Sequence, residues 1–466
     1  MSFGFFPNTF IRPLSILYML LLSNCKVLVH DTLVECNLAA DEHGRIKKLS
    51  RSDISGSFDE KIDCTGMVAL PGMVDPHVHF RDPGQTQKED FYSGSASALA
   101  GGTTTILDMP NNSPPVSDFV QLKEKVALAK KKAVCDWGLY FGATPQNQLV
   151  AVEAAKDPAV FAVKVYLGSS TGDLLVEHGT DFQKHLDALP KHFPVCVHAE
   201  DETEIRKLTE EYKKRDARGK VEYHNIIRSP TTAAISAEAA CDAASKSRRG
   251  IHLCHASTKA ELDIISTYKN GGVPVTLEVC THHLFLTEHD ARALGNYGKV
   301  NPPLRSRVDV ASVWDELSKA HSPIDCIASD HAPHTAKEKE QDYWQAPSGV
   351  PGVQVRVPLM LDAANRNLIS LAQVVRYCST NPAKIFGLSK KGVLAEGYDC
   401  DVVLVDLKKE YEVRAEDQLS KCGWTPFEGR KLHGKVEQTI LGGRVAFDGE
   451  NVCIKKGQGK LAARNC

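Results

Sequence analysis

The middle of the chain alternates between short, nearly continuous apolar runs and longer stretches with polar positions. Apolar runs without alternating polar residues are typical of parallel strands that are covered on both faces. Eight such runs occur, at residues 68–80, 103–110, 135–144, 160–168, 193–200, 250–257, 273–280 and 324–334. Each is followed by enough chain for a helical crossover, which favours a (β/α)8 TIM barrel, an α/β fold, over its main competitor, a doubly wound sheet.

Several of the connecting stretches carry helix signals. Apolar residues in the stretch 119–129 recur at helical spacing and form one face. Ser229 before Pro230 fits an N-cap followed by a first helical residue. Thr258 and Glu261 have the spacing of a capping box. These signals predict helices between the predicted strands.

The two ends of the chain have a different pattern from the middle. Residues 20–66 and 389–456 contain short strand-like segments separated by Gly and Asp turns. Two β-rich ends that enclose a barrel predict one small, discontinuous β-sandwich domain built from both termini. The predicted barrel domain then comprises residues 67–388.

Residues 1–19 form an N-terminal extension that belongs to neither predicted domain. They contain no acidic residue and one arginine, Arg12, followed by LSILYMLLL, which fits a weak signal or transit segment. The interpretation that we favour is a start at Met19 that leads directly into a first strand. Polar residues soon interrupt the apolar stretch, which argues against a transmembrane helix.

Composition and charge narrow the functional classes. Apolar residues make up 42% of the chain and charged residues 24%, as in an ordinary globular enzyme. The 56 basic and 58 acidic residues nearly balance, without a long basic run that would indicate nucleic-acid binding. The 14 cysteines are scattered, mostly in apolar runs and without a CxxC pair, which is typical of buried thiols in a reducing compartment. We predict a cytoplasmic protein with neither nucleic-acid nor membrane partners.

Histidines gather at the ends of the predicted strands. His77 and His79 are alternate residues at the end of the first run, so both side chains face the same side. His198, His255 and Asp330 lie at the ends of the fifth, sixth and eighth runs, and in a barrel these ends converge. Four imidazoles and a carboxylate suit Zn²⁺ or a similar divalent ion. The alternative is a set of buried histidines that hydrogen-bond to backbone groups.

Lys164 lies at the end of the fourth apolar run, where an unpaired ammonium would be costly to bury. Burial lowers the pKa of a lysine, and the neutral amine can then be modified or act as a base. Three interpretations stay open from the residues alone. Lys164 pairs with a carboxylate, forms a Schiff base, or is modified and serves a metal.

Motifs along nearly the whole chain from about residue 20 carry a family resemblance. They are PGMVDPHVHFRDPG, ALAGGTTTILDMPNN, VKVYLGSSTG, VHAE, LCHAS, EVCTHHLFL, KVNPPLR, SDHAPH and GWTPFEGRKLHGKV. With them the chain resembles the dihydroorotases of the cyclic amidohydrolase superfamily, which also includes hydantoinases and allantoinases. HxH alone marks only the superfamily, whereas HxHxR together with MPN and SDHAPH is more specific.

The resemblance implies a centre of two divalent metal ions, Zn²⁺ in the first instance. It assigns His77, His79 and Asp330 to one ion and His198 and His255 to the other, with an N6-carboxylated Lys164 bridging them. In such a centre a metal-bridging hydroxide attacks the ring amide. Asp330 would take its proton and return it to the departing nitrogen, and is thus the predicted catalytic residue.

The resemblance also implies a set of substrate-binding residues. Arg81, Asn111 and His334 match positions that hold the carboxylate of dihydroorotate. Asn301 matches a position that contacts the pyrimidine ring, and residues 346–349 would offer backbone groups to it. The implied reaction is the reversible hydrolysis of (S)-dihydroorotate to N-carbamoyl-L-aspartate in de novo pyrimidine synthesis, with a small-molecule substrate and a homodimeric enzyme.

Two other functions remain open at this level. One is another cyclic amidohydrolase, either a dihydropyrimidinase (hydantoinase) or an allantoinase, and the other is a catalytically silent scaffold. Three local features are also open: residues 168–175 could form a mobile lid, and Cys254 and Glu278 could add to the metal site. For Cys254 we favour simple buried packing.

Overall fold

The computed structural model of the chain describes residues 18–169, 174–176 and 179–465. Most of the predicted N-terminal extension, residues 1–17, lies outside the described residues. The same holds for residues 170–173 of the predicted lid. None of the helices in the described ranges is long and apolar enough to cross a membrane.

Strands make up two separate sheets. In the described residues they are β1 (Leu20–Val29), β2 (Thr32–Ala40), β3 (Ile46–Ser50), β4 (Glu60–Asp63), β5 (Val68–Pro71), β6 (Met73–Val78), β7 (Thr103–Asp108), β8 (Asp136–Gly142), β9 (Val160–Tyr166), β10 (Val195–His198), β11 (Ile251–Leu253), β12 (Val275–Cys280), β13 (Cys326–Ala328), β14 (Val402–Glu412), β15 (Lys431–Leu441) and β16 (Arg444–Phe447).

Helices fill most of the connections between strands. In the same residues they are α1 (Phe91–Ala100), α2 (Phe119–Lys132), α3 (Gln148–Ala154), α4 (Thr180–Ala188), α5 (Glu202–Arg215), α6 (His224–Ile227), α7 (Pro230–Lys246), α8 (Lys259–Asn270), α9 (Thr281–Phe285), α10 (Glu288–Leu294), α11 (Arg307–Ser318), α12 (Ala336–Lys339), α13 (Arg356–Asn365), α14 (Leu371–Val375) and α15 (Asn381–Ile385). Short 3₁₀ turns lie at Val221–Tyr223, Gly295–Gly298 and Ala415–Asp417, and a π-helical turn at Arg376–Thr380.

The eight strands β6 to β13 form a parallel sheet in which each strand pairs with its neighbour in sequence. Each lies inside one of the eight predicted apolar runs. A parallel bridge between Val78 and His331 joins the first strand to the segment after the last, and the His79 N–H donates to the His331 carbonyl at 2.8 Å. The sheet therefore closes, and the predicted TIM barrel is confirmed.

Strands from both chain ends form a second, mostly antiparallel sheet. Its order is β16-β15-β14-β5-β1-β2-β3, with β4 beside β1. Buried side chains from distant parts of the chain, such as Leu38, Val402 and Ile440, pack in one cluster on it. The prediction of a small domain built from both termini is thus confirmed, while its residue limits stay a prediction.

The first apolar run, 68–80, holds two strands rather than one. β5 lies between β14 and β1 in the terminal sheet, whereas β6 begins the barrel. Gly72 separates them at a point where an added Cβ would lie 2.3 Å from Thr104 Oγ1. The chain therefore passes from one sheet to the other within one residue, and only glycine fits there.

The predicted helix starts are confirmed by their caps. The Ser229 hydroxyl accepts from the Thr232 N–H, and Pro230 is the first residue of α7. Thr258 and Glu261 form the predicted capping box of α8. Both signals lie within four residues of the chain, so they needed no tertiary context.

Candidate metal centre and active site

The predicted metal ligands all lie at the carboxyl-terminal ends of barrel strands. Lys164 and His198 belong to β9 and β10, and His255 follows β11 by two residues. These three residues are buried, and so are the other predicted ligands, His77, His79 and Asp330. Because strand ends of a parallel barrel meet around one mouth, residues up to 253 positions apart share one site.

The structure brings the imidazoles and the carboxylate together. The Nε2 atoms of His77 and His79 lie 3.3 Å and 3.0 Å from the same Oδ1 of Asp330. His198 Nδ1 lies 3.0 Å from His255 Nε2. Ligand atoms of His77, His255 and Asp330 all lie within 4.8 Å of one another. The two predicted halves of the centre are therefore adjacent.

Glu278 holds His77 from behind. Its carboxylate pairs with His77 Nδ1 and lies 3.2 Å from His252 Nε2. Burial lowers the pKa of His77, but Glu278 and Asp330 outweigh it and raise that pKa to about 10. His79 has less compensation, and burial lowers its pKa to about 3. Glu278 thus orients His77 toward the centre through its second ring nitrogen.

His198 and His79 also have side-chain partners. Glu200 lies 3.0 Å from His198 Nε2 and pairs with the buried Arg228. Asn111, predicted to bind substrate, places its Oδ1 2.6 Å from His79 Nδ1. Each of these contacts fixes an imidazole by the nitrogen that does not face Asp330 or His255.

Lys164 has a close partner in the structure. It is fully buried, and its Nζ lies 2.8 Å from Cys254 Sγ and 5.1 Å from the centre of the Tyr166 ring. Burial lowers the pKa of Lys164, but these two groups raise it above its usual value. The structure thus gives the lysine an acidic partner, which is closest to the ion pair among the three interpretations that the sequence left open. That partner is a thiol rather than a carboxylate.

Cys254 has more than a packing role. Burial raises the pKa of its thiol, but a hydrogen bond from Cys196 and the charge of Lys164 hold that pKa well below the usual value. Cys254 and Lys164 thus stabilise each other's charged forms. The interpretation of Cys254 as a simple buried hydrophobe is incomplete.

Arg81 and His334 lie side by side in the same mouth. Arg81 Nε donates to the Pro333 carbonyl at 3.3 Å, and its Nη2 lies 3.3 Å from His334 Nε2. Arg81 Nη1 is buried and has no hydrogen-bond partner in the described part of the chain. His334 Nε2 also lies 3.0 Å from the Ser348 carbonyl, so the 346–349 segment adjoins this pair.

Asn301 stands apart from these residues. Its Oδ1 lies 2.9 Å from His224 Nε2, and it lines a pocket of about 420 Å³ together with Arg228 and Ser348. Ser348 therefore connects this pocket to His334. No hydrogen bond joins Asn301 to a predicted metal ligand in the described residues.

The sequence model of the amidohydrolase family matches residues 68–446 of the chain. The chain belongs to the amidohydrolase family. Similar amidohydrolases include the dihydroorotase of Methanosarcina mazei, 36% identical over 449 residues that cover 94% of this chain and 96% of that protein. The dihydroorotase of Halobacterium salinarum is 39% identical over 392 residues, which cover 84% of this chain and 88% of its own.

A solved amidohydrolase structure is similar as well. The L-hydantoinase (dihydropyrimidinase) from Arthrobacter aurescens superposes with a TM-score of 0.91 and 26% identity, covering 96% of this chain and 100% of its own. The resemblance seen in the sequence motifs is thus confirmed. The similarity extends through both the barrel and the terminal sheet.

Three residues of the amidohydrolase site have a strained backbone. Arg81, His255 and Asp330 have φ values of 60°, 38° and 44°, in the left-handed region that non-glycine residues rarely adopt. Each such residue costs about 1–3 kcal/mol and persists only where its surroundings fix it. All three follow a barrel strand, at the end where the predicted ligands lie.

Sequence reasoning missed some residues of this site. Glu200 stands two residues after His198 in the VHAE motif, a same-face position that could have identified it. Glu278 is the lone carboxylate of an apolar strand and was considered only as a ligand. Lys88 and its contact with His334 had no signal, because the lysine lies in an ordinary polar loop.

Proposed function

We propose that this amidohydrolase is a dihydroorotase, which reversibly hydrolyses (S)-dihydroorotate to N-carbamoyl-L-aspartate. The observation that carries the proposal is the buried Arg81 guanidinium, with Nη1 unpartnered in the described residues, beside the histidine–aspartate cluster. A guanidinium edge matches a planar carboxylate, the group that distinguishes dihydroorotate from uncharged cyclic ureides. The named dihydroorotases at 36% and 39% identity support the same substrate.

The donor set fits divalent metal ions, and amidohydrolases are in general metal-dependent. Four imidazoles and a carboxylate are buried together, and His255 Nδ1 has no hydrogen-bond partner in the described ranges. Borderline ions such as Zn²⁺ prefer this mixture of nitrogen and oxygen ligands. We propose Zn²⁺ at two positions, with one ion held by His77, His79 and Asp330 and the other by His198 and His255.

When bound, such ions would polarise an amide carbonyl and lower the pKa of water, so that hydroxide becomes available as a nucleophile near neutral pH. Asp330 is ionised and is therefore able to accept a proton. Burial raises the pKa of its carboxyl, but His77 and His79 keep it well below its usual range, so it is ionised at neutral pH. We propose that Asp330 accepts the proton of the attacking water and delivers it to the departing ring nitrogen.

Lys164 would serve as a bridging ligand after carboxylation of its Nζ. In that modification the neutral amine adds CO₂ and releases a proton, so the buried cation becomes an anion. A pair of bound metal cations would then offset the new charge. The contact of Nζ with Cys254, the residue before His255, keeps the amine close to the proposed metal ligands.

A substrate panel tests the proposed function. Metal-loaded protein is assayed with dihydroorotate, dihydrouracil, hydantoin and allantoin side by side, and we expect dihydroorotate to have the highest kcat/KM. A preference for hydantoin or dihydrouracil would favour the hydantoinase alternative, which the likeness to the Arthrobacter enzyme recommends. No turnover of any of the four would favour a silent scaffold.

The predicted homodimer and the cytoplasmic location stay proposals. Light scattering of the purified protein measures its mass in solution, and we expect about twice the 51.0 kDa of one chain. Cell fractionation tests the location.

A further inference from the structure

Lys88 reaches the proposed substrate site from the loop between β6 and α1. It is 6% exposed, and its Nζ lies 3.2 Å from His334 Nδ1 and 3.0 Å from Glu338 Oε1. The other oxygen of Glu338 accepts hydrogen bonds from the backbone and hydroxyl of Thr335, each at 2.9 Å. The ammonium is therefore held against the imidazole by a fixed carboxylate.

The contacts of His334 select one tautomer. An ammonium has only donors, so Nδ1 of His334 must accept from Lys88 and cannot carry a proton. Burial, together with the cations Arg81 and Lys88, holds the pKa of His334 well below its usual value, so the ring is neutral. Its single proton therefore lies on Nε2. The Ser348 carbonyl, an acceptor 3.0 Å from Nε2, agrees with this assignment.

This tautomer determines what Arg81 can bind. Arg81 Nη2 lies 3.3 Å from His334 Nε2, but a protonated Nε2 cannot accept from it. With Nη1 also lacking a partner in the described residues, the outer edge of the guanidinium keeps its donors for another acceptor. In the opposite tautomer, Nε2 would accept from Nη2 and occupy half of that edge.

We propose that Lys88 is a positioning residue that holds His334 in the Nε2–H tautomer and so leaves the guanidinium edge of Arg81 open for an anion. The inference rests on the proposed function only for the anion's identity, the carboxylate of the cyclic substrate. In the absence of the ammonium, one donor, Arg81 Nη2, and one acceptor, the Ser348 carbonyl, compete for Nε2. Hydrogen bonds of charged donors are about twice as strong as neutral ones, so Arg81 then prevails over the Ser348 carbonyl.

The direct test is ¹⁵N NMR of histidine-labelled, metal-loaded protein, with the His334 signals assigned by their loss in His334→Gln. A protonated and an unprotonated ring nitrogen resonate far apart, so the tautomer is read without turnover. We expect Nε2–H in the wild type, a large population of Nδ1–H in Lys88→Met, and Nε2–H again in Lys88→Arg. Glu338→Gln, which removes the ion pair but keeps the ammonium, serves as the matched control and should retain Nε2–H.

Kinetics provide the second readout. In Lys88→Met we expect KM for dihydroorotate to rise about tenfold, with kcat changed less than about threefold, because ground-state binding of the anion is lost. A wild-type His334 protonated on Nδ1, or an unchanged tautomer in Lys88→Met, would overturn the proposal. If the tautomers behave as expected but dihydroorotate is not turned over, the positioning role stands and the proposed function fails.

Discussion

Two clusters of buried charge lie at opposite ends of the barrel strands, and only one of them is electrostatically complete. At the amino-terminal end, Lys391 Nζ lies 2.6 Å, 3.1 Å and 2.7 Å from carboxylate oxygens of Asp136, Asp399 and Asp401. The cluster at the mouth, around Asp330, leaves donors and acceptors such as Arg81 Nη1 unpartnered in the described residues. The first cluster has the character of a structural ion-pair group, whereas the second has groups left to bind something else.

The Lys391 cluster satisfies its own polar groups. Asp136 Oδ1 accepts from the Lys460 backbone at 2.8 Å, and Asp401 Oδ1 accepts from the Gly442 backbone at 2.9 Å. The three carboxylates could by themselves hold a cation, but the lysine ammonium already lies among them. It joins a barrel strand to the terminal sheet, a role in stability that suits this end of the barrel.

The largest effect is expected from breaking the mouth cluster. Asp330→Ala removes both a proposed metal ligand and the proposed proton carrier, so we expect kcat/KM to fall by more than about 10³-fold. The melting temperature should stay close to that of the wild type, because the site does not hold the fold together. Asp399→Asn, in the other cluster, is the control and should keep its activity. Appreciable turnover by Asp330→Ala would contradict the mechanism.

Breaking the Lys391 cluster should have the opposite signature. Lys391→Met leaves three carboxylates without their cation, which should cost about 3–5 kcal/mol of unfolding free energy, measured by denaturant titration. Lys460→Met, an exposed lysine nearby, should change it by less than about 0.5 kcal/mol. A large loss of kcat in folded Lys391→Met would show that the Lys391 cluster also contributes to activity.

The pH dependence of this stabilisation follows from the pKa of Lys391. Burial lowers that pKa, but the three carboxylates raise it well above its usual value. A raised folded-state pKa contributes stability that is complete below the unfolded-state pKa and is lost only as the pH rises through the folded one. The difference between wild type and Lys391→Met should therefore be constant through neutral pH.

A smaller effect is expected at the open edge of the mouth. Arg81→Ala removes hydrogen bonds to a charged group, worth about 1.5–3 kcal/mol, so KM for dihydroorotate should rise about 10- to 150-fold. Steady-state kinetics with dihydrouracil provide the internal control, because an uncharged ring lacks the carboxylate. Equal increases in KM for both substrates would show that Arg81 does not recognise the carboxylate of dihydroorotate.

The smallest effect concerns the support behind the metal ligands. Glu278→Gln weakens the hold on His77 Nδ1, and loss of such a partner typically lowers metal affinity about 10- to 100-fold. Competition with a chelator, followed by metal analysis, measures it. Glu261→Gln is a matched buried control, because Glu261 caps α8 and should affect stability rather than metal retention. Unchanged metal affinity in Glu278→Gln would mean that His77 is oriented by other contacts.

The sequence predicted whatever depends on neighbouring residues. The eight apolar runs became barrel strands because burial on both faces requires a continuous apolar stretch. The Ser229 and Thr258 caps were recognisable because their partners lie three residues away. The strand-end positions of the proposed metal ligands were predicted in the same way, since the barrel gathers the ends of its strands.

Contacts between distant segments could not be predicted from the sequence. Glu278 lies 201 residues from His77, and Lys88 lies 246 residues from His334, so no local spacing marks either pair. The contact between Lys164 and the Cys254 thiol, which lies 90 residues away, likewise has no local signal. The hydrogen bond between Asn301 and His224 also joins distant segments, and a contact of Asn301 with the substrate ring stays a prediction.

The sequence by itself thus determined the strands, the caps and the identity of the groups that reach the barrel mouth. These follow from periodicity and from short-range hydrogen bonding. Only the tertiary structure decided which of the buried charges are neutralised and which remain open. Pairing energies depend on distances between groups from different strands, and those distances exist only after the barrel has closed.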